Sequence, residues 1–167
     1  MTILSAQSIR ALCFPPQLIP RALRPDPLIT PFSERAVVRG KSYGLSACTY
    51  DCRISHDLIL EPMKVALAAT IEQFNFPHDI CGSVLDKSSY ARVFVSAFNT
   101  HFDPGFRGFA TIELVNLGHE TIHYITGDPL CQFKFERLDA PTELPYAGKY
   151  QDQRAAPQGT IYEDNEH

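Results

Sequence analysis

A mainly β fold, a barrel or sandwich preceded by one short helix, is what this chain predicts, and three observations carry the prediction. From Tyr43 onward, apolar stretches of strand length alternate with turn residues. Near the end, Cys131, Phe133 and Phe135 alternate with Gln132, Lys134 and Glu136, the period-two pattern of a half-buried strand. The 3.6-residue periodicity of a long helix is absent.

Taken in order, Ser5 is placed to cap a short helix with Ile9 and Leu12 at i and i+3. Pro15, Pro16, Pro20, Pro25, Pro27 and Pro31 then forbid regular structure, so the first 35 residues read as one helix and an extended arm. Strands are expected at 50–54, 65–74, 93–98, 109–117, 121–125 and 130–138, the last after a Gly127-Asp128-Pro129 turn. In the 109–117 strand Phe109, Thr111, Glu113 and Val115 share one face and Ala110, Ile112 and Leu114 the other, which predicts burial on both sides. After Leu138 come Pro141, Pro145, Gly148, Pro157, Gly159 and an acidic end, and none of these supplies a core face. The expected division is a β domain over 1–138 and a flexible tail over 139–167 that orders over a ligand.

Composition narrows the function classes. With 167 residues, 44% hydrophobic and 20% charged, the chain reads as one ordinary globular domain, and no apolar run approaches membrane-helix length. A net charge of -4 argues against a nucleic-acid partner. The opening Met1-Thr2-Ile3-Leu4-Ser5 lacks the features of a signal peptide, so a cytoplasmic location is expected. Five cysteines without framework spacing read as free thiols.

Three groups of residues bear chemistry. Glu113 sits in an apolar strand, where desolvation would tune it for proton transfer; the alternative is that it pairs with a buried arginine for structure alone. Lys87-Ser88-Ser89-Tyr90-Ala91-Arg92 puts hydroxyls and backbone N–H groups between cations, a composition suited to phosphate oxygens, though such a run is also an ordinary exposed turn. Asp103-Pro104-Gly105-Phe106, with Gly108, makes a tight turn that delivers a carboxylate and a ring beside the Glu113 strand. The zinc deaminase signature and the Gly-x-x-x-x-Gly-Lys phosphate loop are both missing, and His119 and His123 are not read as a metal pair.

The order and spacing of these segments resemble the dCTP deaminase branch of the dUTPase-like superfamily. The resemblance runs through Ser42-Tyr43-Gly44-Leu45, Tyr50-Asp51-Cys52-Arg53, Phe76-Pro77-His78-Asp79, the 87–92 run, Asp103-Pro104-Gly105-Phe106, Thr111-Ile112-Glu113-Leu114 and Gly148-Lys149-Tyr150-Gln151-Asp152-Gln153. It implies a distorted dUTPase-like β-barrel, or β-clip, assembled as a homotrimer with sites between subunits. It further implies zinc-independent deamination of dCTP to dUTP and ammonia. On that resemblance Glu113 activates water and moves protons, while Ser88 and Arg92 position the water and stabilise the transition state. Lys87 and Ser89 hold phosphates, Asp103 holds the deoxyribose 3′-hydroxyl, and Phe106 and Thr111 complete the nucleotide pocket. Tyr146, Lys149 and Gln153 bring the tail onto the triphosphate. Mg2+ is expected on the substrate phosphates and dTTP as an inhibitor.

This chain departs from the family at three places. Asp86 stands where the family has glycine, putting a carboxylate beside the proposed phosphate site. The 92–103 segment, which bears on base selection and dTTP inhibition, is shorter than usual. Arg154-Ala155-Ala156-Pro157 replaces the usual residues after Gln153. The rival readings are a dUTP pyrophosphatase using Asp103, a bifunctional enzyme that goes on from dCTP to dUMP, and an inactive nucleotide-binding homologue.

Overall fold

A computed structural model describes residues 2–14 and 21–162. The elements in chain order are β1 (Thr2–Ile3), α1 (Ala6–Cys13), a 3-10 turn (Arg21–Leu23), β2 (Ile29–Thr30), β3 (Ala36–Val38), β4 (Lys41–Leu45), β5 (Thr49–Arg53), β6 (Leu58–Leu60), β7 (Val65–Asn75) and β8 (Ile80–Leu85). They continue with α2 (Ser88–Ala91), β9 (Val95–Ala97), β10 (His101–Phe102), β11 (Arg107–Asn116), β12 (Ile122–Tyr124) and β13 (Pro129–Arg137). One sheet runs β10-β8-β13-β5-β4-β3 with β1 added to β13, a second runs β2-β7-β11-β9, and β6 pairs with β12. Every pairing between these strands is antiparallel.

Phenylalanine fills the space between the two main sheets. Phe74 of β7 stacks on Phe133 of β13 with centroids 4.4 Å apart, and Phe133 in turn meets Phe102 at 5.1 Å. Phe102 lies 5.1 Å from Phe106, so the aromatic column reaches from the core to the Asp103 turn. Gly82 of β8 makes room for it, since a Cβ there would lie 2.7 Å from the Phe76 ring.

The six expected strands all form, with shifted ends. At β9, Phe94 adopts a left-handed φ of 63°, which keeps Val93 and Phe94 in the turn and delays the strand to Val95. Short β4 and β6 and the longer β8 were not anticipated; β8 begins with three buried residues in a row and carries no clean alternation in its sequence. Ser5 stands at the N-cap of α1, but its hydroxyl bonds Ser8 Oγ at 3.2 Å and caps no backbone N–H. The helix is held instead by burying Ile9 and Cys13 and by the Ala6 amide donating to Ala47 O. The arm contributes β2, which pairs Ile29 with Phe74; Pro15, Pro16, Pro20 and the acidic end at 163–167 lie outside the described residues.

Expected burial of β11 on both faces is corrected. Ala110, Ile112 and Leu114 are closed into the core, whereas Phe109, Thr111, Glu113 and Val115 are only half-buried. The 139–162 segment holds no helix or strand and lies along β11: Phe109 N donates to Gln153 O at 3.0 Å, and Gly108 and Gln153 form a parallel bridge. Gly108 permits this approach, because its φ of 146° and the Gln153 amide 2.7 Å from any Cβ exclude a side chain.

Candidate functional site

The open face of β11 leads into a cavity of about 360 Å³ lined by Leu67, Thr100, His101, Phe102, Asp103, Phe106, Thr111, Glu113, Tyr146, Tyr150, Gln153, Gln158 and Thr160. A β-bulge between Phe109 and Thr111 sets the aim of the strand at this point. Thr70 stabilises the bulge: its Oγ1 accepts from the Ala110 amide at 3.0 Å and donates to Glu72 O at 2.7 Å. Past the bulge the register pairs Glu113 with Leu67, placing the carboxylate on the cavity side.

Among the ion pairs of the described residues, Glu113 has none with an arginine. Its Oε2 accepts a hydrogen bond from Thr100 Oγ1 at 2.9 Å. A buried glutamate that does pair with an arginine is Glu72: Arg53 Nε donates to its Oε1 at 2.8 Å and the Arg53 backbone N donates to its Oε2 at 2.9 Å. Burial raises the Glu72 carboxyl above its ordinary range, against the pull of the Arg53 bonds. The structural reading weighed for Glu113 therefore applies to a different glutamate. Arg53 also lies 4.8 Å over the Tyr43 ring, so two of the resemblance motifs join in one interior contact.

Asp103 lies in a turn fastened on both sides. Phe76 N donates to Phe106 O at 2.9 Å, Gly105 N to Phe76 O at 3.1 Å, and Tyr146 N to Pro104 O at 2.7 Å. His101 Nε2 is 3.6 Å from the Asp103 carboxylate, and its Nδ1 is 3.4 Å from Ser83 Oγ. The tail closes one wall: Gln153 Nε2 and the Gln158 amide both donate to Thr111 Oγ1, the latter at 3.0 Å. Tyr146 packs edge-on to Phe106 at 5.8 Å, and its hydroxyl accepts from the Tyr150 amide at 3.0 Å.

Glu113, Asp103, Phe106, Thr111, Tyr146 and Gln153 thus meet in one cavity. Lys149 does not line it; it stands in an adjoining depression of about 270 Å³ with Arg154, which shares Tyr150, Gln153 and Gln158 with the cavity wall. Ser88, Ser89 and Arg92 are exposed on or beside α2 and line no part of the cavity. Lys87 is buried, with its ammonium 2.6 Å from Asp51. Asp86 turns away from α2 to accept from Ser96 Oγ at 2.9 Å and the Ala97 amide at 2.8 Å, fastening β9.

Thr100, His101, Tyr150, Gln158 and Thr160 were not singled out from the sequence. The first two directly precede the Asp103 turn, a proximity that signalled them; the tail residues carry no periodicity that could. Among the described residues, two carboxylates line the cavity and no lysine or arginine does. Among the described residues no three His, Cys, Asp or Glu side chains converge to hold a metal ion.

The profile of a family described as dCTP deaminase-like matches residues 29–138. The chain is 32% identical over 160 residues to a dCTP deaminase of Acidobacterium capsulatum, spanning 76% of this chain and 87% of that one. To a dCTP deaminase of Campylobacter fetus it is 33% identical over 159 residues, spanning 75% and 86%. To one of Thermococcus kodakarensis it is 31% identical over 137 residues, spanning 77% and 88%. Among solved structures, the dUTPase of Staphylococcus aureus phage phi11 superposes with a TM-score of 0.54 at 17% identity over 72% of this chain and 95% of that one. Native EIAV dUTPase gives 0.51 at 20% identity over 60% and 84%. At such identities the likeness concerns the fold, which is dUTPase-like.

Proposed function

The chain belongs to the dCTP deaminase-like family, and on that premise we propose that it converts dCTP and water to dUTP and ammonia, with Glu113 as the proton carrier. The observation that carries this reading is a carboxylate facing a cavity, bonded by one hydroxyl and, among the described residues lining that cavity, joined by no lysine or arginine. Such a group is free to exchange a proton.

In the proposed reaction Glu113 takes a proton from water as the water oxygen bonds to C4 of cytosine. The carboxyl passes that proton to N3 of the pyrimidine, then takes the proton of the new C4 hydroxyl and delivers it to the C4 amino group, which leaves as ammonia as the C4 carbonyl of uracil forms. Asp103, in its fastened turn, accepts from the deoxyribose 3′-hydroxyl, and Phe106 and Thr111 border the sugar and base.

The described lining of the cavity, with two carboxylates and no lysine or arginine, does not by itself hold a triphosphate. Exposed Ser88, Ser89 and Arg92 are available to complete the site, and we assign them to an adjacent copy in a homotrimer, with Ser89 on the phosphates and Ser88 and Arg92 on the attacking water and the transition state. The open face supports that assembly: Val65, Leu67, Phe94, Phe98 and Leu117 are exposed apolar side chains around β7, β9 and β11. Lys149 and Gln153 come from the tail, which we propose to tighten over the phosphates together with Tyr146. Mg2+ enters with the triphosphate, since the described side chains build no cage for it. dTTP is proposed as an inhibitor that competes for the same cavity.

None of the five cysteines is disulfide-bonded and no described helix is long and apolar enough to cross a membrane, which fits the proposed cytoplasmic location. The test is incubation with dCTP and Mg2+, resolving ammonia, dUTP and dUMP, with Glu113→Gln as control. Ammonia with dUTP, abolished in the variant, is expected. Ammonia with dUMP would make the enzyme bifunctional through Asp103, and tight dCTP binding with no product would overturn the proposal.

A further inference from the structure

The connection from β9 to β10 crosses between the two main sheets, and Thr100 is held at the crossing. Its amide donates to Phe98 O at 2.8 Å, the Phe98 amide donates to the carbonyl of Glu113 at 2.9 Å, and the Thr100 carbonyl accepts from Val84 of β8 at 3.0 Å. At the start of the same connection Asp86 grips Ser96 and Ala97. Residues 96–100 are therefore anchored to both sheets.

The anchoring determines where the Thr100 side chain goes. A β-branched residue has few rotamers open to it, and with the backbone fixed its hydroxyl stands 2.9 Å from Glu113 Oε2. The hydroxyl has one hydrogen to give, and its other acceptor, Phe98 O, is 3.5 Å away. A charged acceptor at the shorter distance takes that hydrogen. A glutamate reaches the cavity through three rotatable bonds, so one directional bond at the carboxylate removes much of its freedom.

We infer that Thr100 is a positioning residue for deamination: its hydroxyl holds Oε2 of Glu113 and leaves Oε1 to exchange protons with water and pyrimidine. The inference rests on the function proposed above and adds a residue to it. Thr100 does not touch the reacting atoms; it acts through Glu113. Placement of a reacting group is worth about a hundredfold in rate for a displacement of about 1 Å, and that sets the scale of the effect.

The experiment compares Thr100→Val, which keeps the shape and removes the hydroxyl, with Thr100→Ser, which keeps the hydroxyl. With the wild-type protein releasing ammonia from dCTP, Thr100→Val is expected to lower kcat about 10- to 100-fold while KM stays within about twofold. Thr100→Ser is expected to restore most of the rate. Unchanged kcat in Thr100→Val would overturn the inference and leave the deaminase reading intact. So would parallel loss of kcat and KM that serine fails to rescue, the mark of a purely structural role. A wild-type protein that releases no ammonia would overturn both. If the valine variant does not fold, Thr100→Ala repeats the comparison with the same outcomes.

Discussion

Lys87 and Asp51 form an ion pair 2.6 Å long in the interior, with 6% and 8% of the two side chains exposed. The motif resemblance gives Lys87 to the phosphates, yet in this chain its ammonium neutralises a carboxylate whose Oδ1 has no hydrogen-bond partner among the described residues. Removing the lysine alone leaves that carboxylate charged and buried. Lys87→Met is therefore expected to destabilise the fold by about 3–5 kcal/mol, and Lys87→Met with Asp51→Leu to recover most of the loss. Urea unfolding of the two variants measures both; a single variant as stable as wild type would show that the pair contributes nothing.

Asp86 occupies a position where a carboxylate was expected to disturb a phosphate site. Its acceptors serve β9 instead, through Ser96 Oγ and the Ala97 amide. Asp86→Ala strands both donors at the edge of the β11 sheet, and the expected cost is about 1–3 kcal/mol. Hydrogen exchange at Ala97 is the local readout, and it should accelerate more than exchange at Phe133 in β13.

Asp128 is almost wholly buried, yet carries Arg39 Nε at 2.8 Å, Lys41 Nζ at 2.9 Å and the Ile125 amide at 3.2 Å. Burial alone would raise its carboxyl; the bonds from Lys41, Ile125 and Arg39 outweigh burial and hold it below the ordinary value. The unfolded chain then binds that proton more readily than the folded one. The stabilisation is complete above the unfolded value of about 3.9 and is lost as pH falls through the folded one. Asp128→Asn should lower stability at neutral pH by about 1–3 kcal/mol and flatten the decline of stability below about pH 4. Denaturant midpoints measured across that range test the sign.

Much of the barrel was legible because β7, β11 and β13 bury apolar residues in a regular rhythm and turn residues bound them. β8 was not, because it opens with three buried residues in a row, Ile80, Cys81 and Gly82, and Gly82 and Ser83 interrupt its apolar pattern, so the sequence carries no period-two signal. The Glu113 and Asp103 neighbourhood could be read from order along the chain, since strand and turn are adjacent. The partners of Lys87, Asp86 and Glu72 could not: Asp51 is 36 residues from Lys87, and Arg53 is 19 from Glu72. Such pairings depend on which strands become neighbours, and local pattern does not encode that. Phe109, Thr111 and Val115 were read as enclosed because apolar character looks the same whether a chain covers a face itself or leaves it for another copy.

If exposed Ser88 and Arg92 of one copy complete the Glu113 cavity of the next, as proposed, damage at the two places is repairable between molecules. A chain carrying Glu113→Gln still offers an intact arginine, and one carrying Arg92→Ala still offers an intact glutamate. Unfolded together in equal amounts and refolded, the two inactive variants should complement each other. Random assortment in a closed ring makes about one quarter of the junctions whole, and ammonia release should return in that proportion. A mixture as dead as its components would mean that each chain builds its centre alone.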